Sequence, residues 1–422
     1  MKGFHTENFK KMENRRRVVV VGAGIRSPIG NSLREFVKSL QERRSGICIM
    51  PEWEDVKRLR TRLAGLCNIE GEEELIPRQY RRSMGRVAIL AALSAMDAVK
   101  ASGLTGEEIA SPICGISYGS TEGSVGSQMD YIRKMLQNRS LEGIPASWYL
   151  KCMSHTCAGN ISILFHTRGP FIASCTACVS GAQGIGFGYE AIKTGKADIM
   201  ITGGADEVDF LSAAVFDLMM ATSCNYNDRP SEAPRPFDAN RDGLVVAEGA
   251  ATLVLEEYER AKNRGAPILG EVEGFWTNGS GAHPTNSDAR SMEECLLAAL
   301  KDAGRNPAEI QHVNAHATAT GHGDEVEAVV INRIYGPNVP VTSLKGYLGH
   351  TMGACGPIEA IATLLMMREG FMASTLNLEK PDPALPPLNH VMGQSWDQRF
   401  RLGVSNNFAF GGVNTSLVFS LV

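Results

Sequence analysis

Cys178 stands where an apolar, strand-like run gives way to a glycine-studded one, in Ala173-Ser174-Cys175-Thr176-Ala177-Cys178-Val179-Ser180-Gly181. If a helix follows, its first turn offers the thiol the positive end of the helix dipole and unpaired backbone N–H groups. Both favour the thiolate, which is the nucleophilic form. The same N–H groups can later hold an oxyanion. A buried structural cysteine is the other reading of this segment taken alone. Gly181, Gly184, Gly186 and Gly188 would each cost that helix about 1 kcal/mol relative to alanine, which implies close packing against another backbone.

Two histidines sit in turns of small residues. His316 follows an apolar run in Val313-Asn314-Ala315-His316-Ala317-Thr318-Ala319-Thr320, and His350 lies in Ser343-Leu344-Lys345-Gly346-Tyr347-Leu348-Gly349-His350-Thr351-Met352-Gly353. Either alone reads as a satisfied structural imidazole. With a poised cysteine they read as proton donors and acceptors near neutral pH, with small neighbours that leave room for a substrate. Lys345 either tunes His350 electrostatically or is simply solvated. Cys175 and Cys178 also form a C-x-x-C pair, with Cys152, His155 and Cys157 upstream. A metal or dithiol site is disfavoured, because the upstream spacing is loose, a second tight pair is lacking and no aromatic approach precedes Cys175. No metal is expected. Gly22-x-Gly24 fails as a dinucleotide fingerprint, since Ser27 stands at the third glycine position and Pro28 follows.

Alternating strand-like and helix-like segments must position these residues. Strands are expected over 18–25, 113–118 and 199–202, the last two each followed by glycine as in α/β turns. Helices are expected over 31–42, 83–102, 287–303 and 324–335, the third with Ser291 and Glu294 as a capping box and Gly304 as its stop. A glycine–proline break at 265–270 suggests two halves, 18–267 with the cysteine and 268–422 with the histidines. Residues 1–17, charged and aperiodic, are expected to be a flexible leader.

Composition narrows the function classes. A chain of 422 residues, 43% hydrophobic and 21% charged, is ordinary globular material with a sizeable core. Net charge of −4 and modest aromatic content argue against nucleic acid as the main ligand. The apolar run at 18–21 after basic residues mimics a signal peptide, but glycine and Pro28 interrupt it. No stretch reaches 18 uninterrupted apolar residues, so no membrane span is expected. Ten cysteines, mostly in apolar stretches, fit a reducing compartment and a cytoplasmic protein.

The motifs in their order resemble those of β-ketoacyl-acyl carrier protein synthases of type II, from about Val18 to the C-terminus. Thr176-Ala177-Cys178-Val179-Ser180-Gly181 resembles the nucleophile motif, and 313–320 and 345–353 resemble the two histidine motifs. Asn407-Phe408-Ala409-Phe410-Gly411-Gly412-Val413-Asn414 is similar to the C-terminal gating loop, and Pro234-Arg235-Pro236-Phe237-Asp238 with Arg241-Asp242-Gly243 to another signature. The resemblance implies the thiolase fold, an α/β architecture of two similar βαβ-rich halves stacked as five layers (αβαβα). It also implies a dimer, and a ping-pong condensation with malonyl-acyl carrier protein that extends a fatty-acyl or polyene-like chain. No tightly bound cofactor is implied; substrates ride on the phosphopantetheine of acyl carrier protein.

By the same resemblance Cys178 carries the acyl group, while His316 and His350 promote decarboxylation with Lys345 nearby. The N–H groups of Cys178 and Phe410 form the oxyanion hole. Asp324, Glu327 and Glu359 are supporting acids, and Thr318, Thr320, Phe408 and Asn414 line the substrate path. Arg78, Arg81, Arg82 and Arg86 are a candidate docking face for the acidic carrier protein, or else a solvated helix start. Glu122 falls near the acyl-pocket floor, where it would disfavour long saturated chains, or is an exposed loop acid. Ala317 and Ala409 stand where glycine is commoner in the family. Alanine at 409 would disfavour any state needing positive φ there. The runs 82–87, 153–156 and 344–356 are closer to an aryl-polyene and specialised-lipid branch, in which a synthase can pair with a chain-length-factor-like partner lacking the cysteine. A non-catalytic or partner-dependent subunit is the alternative, and the intact Cys–His–His set counts against it.

Overall fold

The computed structural model describes residues 16–283 and 285–422. The expected leader lies outside the described residues as far as 15. Arg16 and Arg17 do not belong to a loose leader. Arg16 is ion-paired with Asp198, and Arg17 Nη2 lies 2.5 Å from Glu271 Oε2.

The first half of the chain contributes β1 (Val18–Arg26), β2 (Cys114–Gly119), β3 (Phe171–Ser174), β4 (Ile199–Asp206) and β5 (Gly249–Glu257). They lie side by side in the order β3-β2-β4-β5-β1. The second half contributes β6 (Gly270–Gly279), β7 (His312–Asn314), β8 (Pro340–Thr342), β9 (Asn389–His390), β10 (Leu402–Ala409) and β11 (Val413–Ser420). Their order is β9-β8-β7-β10-β11-β6. Leaving aside β9, the two orders correspond strand for strand, with β6 standing where β1 stands. In each half the first two strand pairs counted from that strand are antiparallel and the next two parallel. Short pairing of Val18–Val20 with Gly270–Val272 joins the halves, so these eleven strands form one continuous sheet, beside a small separate sheet of Ile47–Ile49, Leu63–Gly65 and Val246–Ala247.

Helices separate the layers. The elements used below are α1 (Arg86–Ser102), α2 (Val125–Asn138), α3 (Thr156–Phe165), α4 (Ser180–Lys193), α5 (Phe210–Leu218), α6 (Ala289–Ala303), α7 (Gly321–Tyr335) and α8 (Cys355–Glu369). α1 and α3 cover the outer face of the first half, while α6 and α7 cover that of the second. α4 and α8 lie between the halves and touch strands of both. This is the αβαβα layering of the thiolase fold. α8 is buried almost throughout its length, from Cys355 to Met367. Such a helix shows no amphipathic stripe, because both of its sides face core.

Several local expectations need adjusting. Gly22 and Gly24 serve packing: a Cβ at Gly22 would stand 2.2 Å from Ala98 O and one at Gly24 2.0 Å from Ser94 O, so only glycine lets α1 lie on β1. The helix expected over 31–42 runs Leu33–Gln41, with Ser32 accepting from Glu35 N as its cap. The capping box at Ser291 and Glu294 does not form. Asp288 caps α6 by accepting from Ser291 N, and Glu294 instead pairs with Arg290 at 2.9 Å. An aspartate one turn earlier supplies the cap, so the helix begins at Ala289, earlier than a serine cap at 291 would place it.

Candidate active site

Cys178 lies in a sharp turn between β3 and α4. Ala177 adopts φ +50°, unusual for a residue with a side chain, and Ser180 Oγ donates to Ala177 O at 2.6 Å while accepting from Thr176 N at 2.8 Å. The glycines of α4 then bring the two halves together. A Cβ at Gly181 would lie 2.3 Å from Gly353 O, in the turn that carries His350, and one at Gly184 would lie 2.5 Å from Gly203 O. Gly186 and Gly188 abut the side chains of Phe275 and Thr202 rather than backbone.

The result is a compact centre. His350 Nε2 lies 2.9 Å from Cys178 Sγ, and the His316 and His350 rings stand edge-to-face with centroids 5.1 Å apart. All three residues are buried and line a cavity of about 620 Å³ together with Phe216, Thr318, Thr320, Phe408 and Phe410. Phe408 meets the His316 ring edge-on at 6.3 Å. The segment expected to gate this cavity is the tip of the β10–β11 hairpin. Its positive-φ residues are Gly411 and Gly412, while Ala409 pairs with Val413 at the end of β10. Alanine at 409 therefore carries no strain in this structure.

Electrostatics set the protonation states. Burial pushes the Cys178 thiol up to about 12, against the pull of Lys345 and of the backbone N–H groups of Cys178 and Phe410, which face the sulfur. Burial likewise drives both histidines well below their usual value, with Lys345 pushing the same way. The helix-dipole expectation of a resting thiolate is thus reversed: desolvation outweighs the dipole, and the pair rests as neutral thiol and neutral imidazole. Such a pair is able to make a nucleophile on demand, because His350 Nε2 at 2.9 Å can take the Sγ proton.

Acids brace the two histidine turns from behind. Glu327 accepts from His316 N at 2.8 Å and Ala317 N at 2.6 Å, and Asp324 accepts from Ala319 N at 3.0 Å and Phe237 N at 2.8 Å. Lys345 forms an ion pair with Glu359, both 1% exposed. Burial opposes the Lys345 ammonium, yet the charges of Glu359 and its neighbours leave its pKa raised.

Three further residues were not singled out from sequence. Asp206 accepts from Ser120 Oγ at 2.9 Å, Thr121 N at 2.9 Å and Gly353 N at 2.6 Å, tying the 120–121 turn to the turn that carries His350. Cys355 Sγ donates to Cys178 O at 3.3 Å. Asn407 Nδ2 lies 2.6 Å from Glu359 Oε2 and 3.3 Å from His316 Nδ1. Asn407 stood in the gating-loop motif and Cys355 in the run 344–356 around His350; nothing local marks Asp206.

Other expected site residues fall elsewhere. Asn414 does not line the cavity, because its amide is spent on Asn278 Oδ1 at 3.0 Å and Ser291 Oγ at 3.1 Å. Glu122 is exposed and lies outside the Cys178 cavity. It borders a separate apolar groove of about 360 Å³ between α2 and α5, beside Val125, Ile132, Leu211 and Leu218. Arg86 is not free for docking, since it binds the fully buried Glu248 through two contacts of 2.8 and 2.5 Å. Arg78 and Arg82 are exposed and Arg81 half-buried.

Among the described residues two groups of donors are compact enough for a metal ion: Cys178 with His316 and His350, and His316 with Cys355 and Glu359, each within 4.8 Å. The first is already closed by the sulfur–imidazole bond, and Glu359 of the second is held by Lys345 and Asn407. Among the described residues Cys152, His155 and Cys157 join no such group. Cys175 Sγ turns away from Cys178 to Thr121 O at 3.1 Å, and neither sulfur is in a disulfide.

Five layers and a buried thiol beside two imidazoles define a thiolase-fold protein with a thiol–imidazole centre. The model of the β-ketoacyl synthase N-terminal domain matches residues 15–261, and that of the C-terminal domain matches 269–379. The chain is 34% identical over 405 residues to 3-oxoacyl-[acyl-carrier-protein] synthase 1 of Haemophilus influenzae, covering 96% of this chain and 98% of that protein. It is 35% identical to the synthase 2 of Vibrio cholerae, covering 96% and 99%. The crystal structure of a β-ketoacyl synthase from Burkholderia phymatum superposes with a TM-score of 0.93 at 43% identity, over 96% of this chain and all of that one. The ishigamide ketosynthase/chain length factor structure gives a TM-score of 0.89 at 30% identity, over 97% and 100%. The chain belongs to the β-ketoacyl synthase family.

Proposed function

We propose that the chain is a β-ketoacyl-acyl carrier protein synthase that joins an acyl group on Cys178 to malonyl-acyl carrier protein. The observation that carries this reading is the Cys178–His350 pair at 2.9 Å, beneath a cavity that His316 also lines. The thiol attacks the acyl thioester, giving its proton to His350, and the carrier's thiol leaves with a proton in return. The N–H groups of Cys178 and Phe410 hold the oxyanion of that step. Malonyl-carrier protein then enters past Thr318 and Thr320. Its C–C bond breaks, CO₂ leaves, and the electron pair passes into an enolate whose oxygen a histidine N–H holds. The enolate carbon attacks the acyl-enzyme carbonyl, the C–S bond breaks and the Cys178 sulfur leaves, regaining a proton from water by way of His350, and a β-ketoacyl-carrier protein two carbons longer than the acyl group is released. Splitting transfer from condensation replaces one difficult encounter by two easier steps.

Arg78, Arg81 and Arg82 are the proposed contacts for the acidic carrier protein. A second copy, or a chain-length-factor-like partner, is the proposed cover for the apolar face around Ile132, Leu211, Val215 and Leu218, all of which are exposed. Among the described residues no helix is long and apolar enough to cross a membrane. All ten cysteines are free, which supports placing the protein in the reducing cytoplasm.

The test is intact-protein mass spectrometry after incubation with acyl-carrier proteins of several chain types, followed by malonyl-carrier protein. An acyl adduct present in the wild type and absent from Cys178→Ala, with a β-ketoacyl product on addition of malonyl-carrier protein, is expected. No adduct from any donor would overturn the reading and favour a partner-dependent subunit.

A further inference from the structure

The two histidines share a cavity but differ on their inner edges. His350 Nδ1 is buried with no hydrogen-bond partner. His316 Nδ1 instead faces the side-chain amide of Asn407, whose Nδ2 lies 3.3 Å away. Asn407 is fully buried, sits on β10 opposite Thr415 of β11, and so is held by a rigid ladder. Its amide orientation is decided by a second contact. Glu359 Oε2 lies 2.6 Å from it, and Glu359 is ion-paired with Lys345. A carboxylate only accepts, so the amide atom facing it must be the nitrogen. The reverse orientation would press two oxygens together at that distance. One N–H of Asn407 therefore goes to Glu359, and the other faces His316 Nδ1 at 3.3 Å, with Cys355 Sγ farther off at 3.6 Å.

An imidazole nitrogen that accepts a hydrogen bond carries no proton, so in the neutral ring the proton is on the other nitrogen. The His316 ring is neutral because burial and the Lys345 charge depress its pKa. We propose that Asn407 is a positioning residue which fixes His316 as the Nε2–H tautomer, so that His316 presents a hydrogen-bond donor to the cavity. His350, bonded to the Cys178 sulfur at 2.9 Å and unheld at Nδ1, keeps the freedom to take up and return a proton. The roles of the histidines are thereby divided. His350 serves acyl transfer to and from Cys178. His316 donates to the thioester oxygen that becomes the enolate oxygen when the malonyl C–C bond breaks, with no proton changing hands in that step.

This inference rests on the condensing-enzyme reading, and the test separates the two. The tautomer is read without turnover, from the side-chain ¹⁵N shifts of histidine-labelled protein, with the His316 signal assigned through His316→Gln. Wild type is expected to show a protonated Nε2 and an unprotonated Nδ1. Asn407→Asp, whose carboxylate only accepts, is expected to move the proton to Nδ1. Asn407→Ala, which should fold if the aspartate beside Glu359 does not, is expected to give a mixture of tautomers. Both variants should lose malonyl decarboxylation on the order of a hundredfold, while acylation of Cys178 stays within about threefold of wild type. A wild-type Nδ1–H signal, an unchanged tautomer in both variants, or equal loss of acylation and decarboxylation would overturn the proposal. Failure of wild type to acylate at all would instead overturn the condensing-enzyme reading, leaving the tautomer result intact.

Discussion

Replacing Lys345 by methionine removes one charge from a pair in which each side chain is 1% exposed. Taking one partner from a buried pair costs about 3–5 kcal/mol, because the remaining charge has neither water nor a counter-ion. Glu359 has an escape. Burial already raises its pKa, and Lys345 is the strongest force opposing that rise, so without Lys345 the carboxyl takes up a proton. The loss should then fall near the lower figure, about 3 kcal/mol. The companion change Glu359→Gln removes the stranded charge while keeping an acceptor for Asn407 Nδ2. The double variant should therefore recover part of the loss, with a coupling of about 2 kcal/mol. Urea unfolding followed by tryptophan fluorescence and far-UV circular dichroism measures this where the two transitions coincide. A Lys345→Met midpoint equal to wild type would refute the buried-charge argument. So would a double variant as unstable as the sum of the singles.

The remaining expectations probe separate features. Because the Cys178 thiol is pushed up to about 12 by burial, its alkylation by iodoacetamide should keep accelerating from pH 6 to 9; a plateau near or below pH 7 would show a resting thiolate. Both histidines are depressed, so decarboxylation measured on the acylated enzyme should stay level as pH falls through the usual histidine range and drop only below it. A midpoint near pH 6.5, the unperturbed value, would contradict their burial. Gly181→Ala forces a Cβ to within 2.3 Å of Gly353 O and should separate α4 from the His350 turn, slowing acylation on the order of tenfold or more; wild-type acylation by a folded variant would count against that packing. Arg86→Ala strands the buried Glu248 and should cost about 2 kcal/mol of stability. Arg82→Glu should instead leave the unfolding midpoint alone and weaken carrier-protein binding with a strong salt dependence, and reversed outcomes would exchange the roles given to the two arginines.

Much of this protein is fixed by order along the chain. The strand-to-helix turn at Cys178, the small-residue turns of His316 and His350 and the alternation of strands with helices are short-range patterns. They follow from local backbone needs and from hydrophobic periodicity. The four glycines of α4 likewise announced a close contact, although sequence could not say that Gly353 lies across it. What tertiary structure decided is where distant groups meet and how dry the meeting place is. The thiol rests neutral because several layers of protein exclude water, and no local motif carries that quantity. Arg86 looks like its basic neighbours until Glu248, 162 residues away, claims it. Asn414 belongs to a motif yet turns to other partners, and Glu122 stands exposed outside the cavity, since a motif fixes backbone more tightly than side-chain direction. Asp206, Cys355 and Asn407 gain their roles only from folding, which brings β4, α8 and β10 to one point beneath two histidines that lie 34 positions apart.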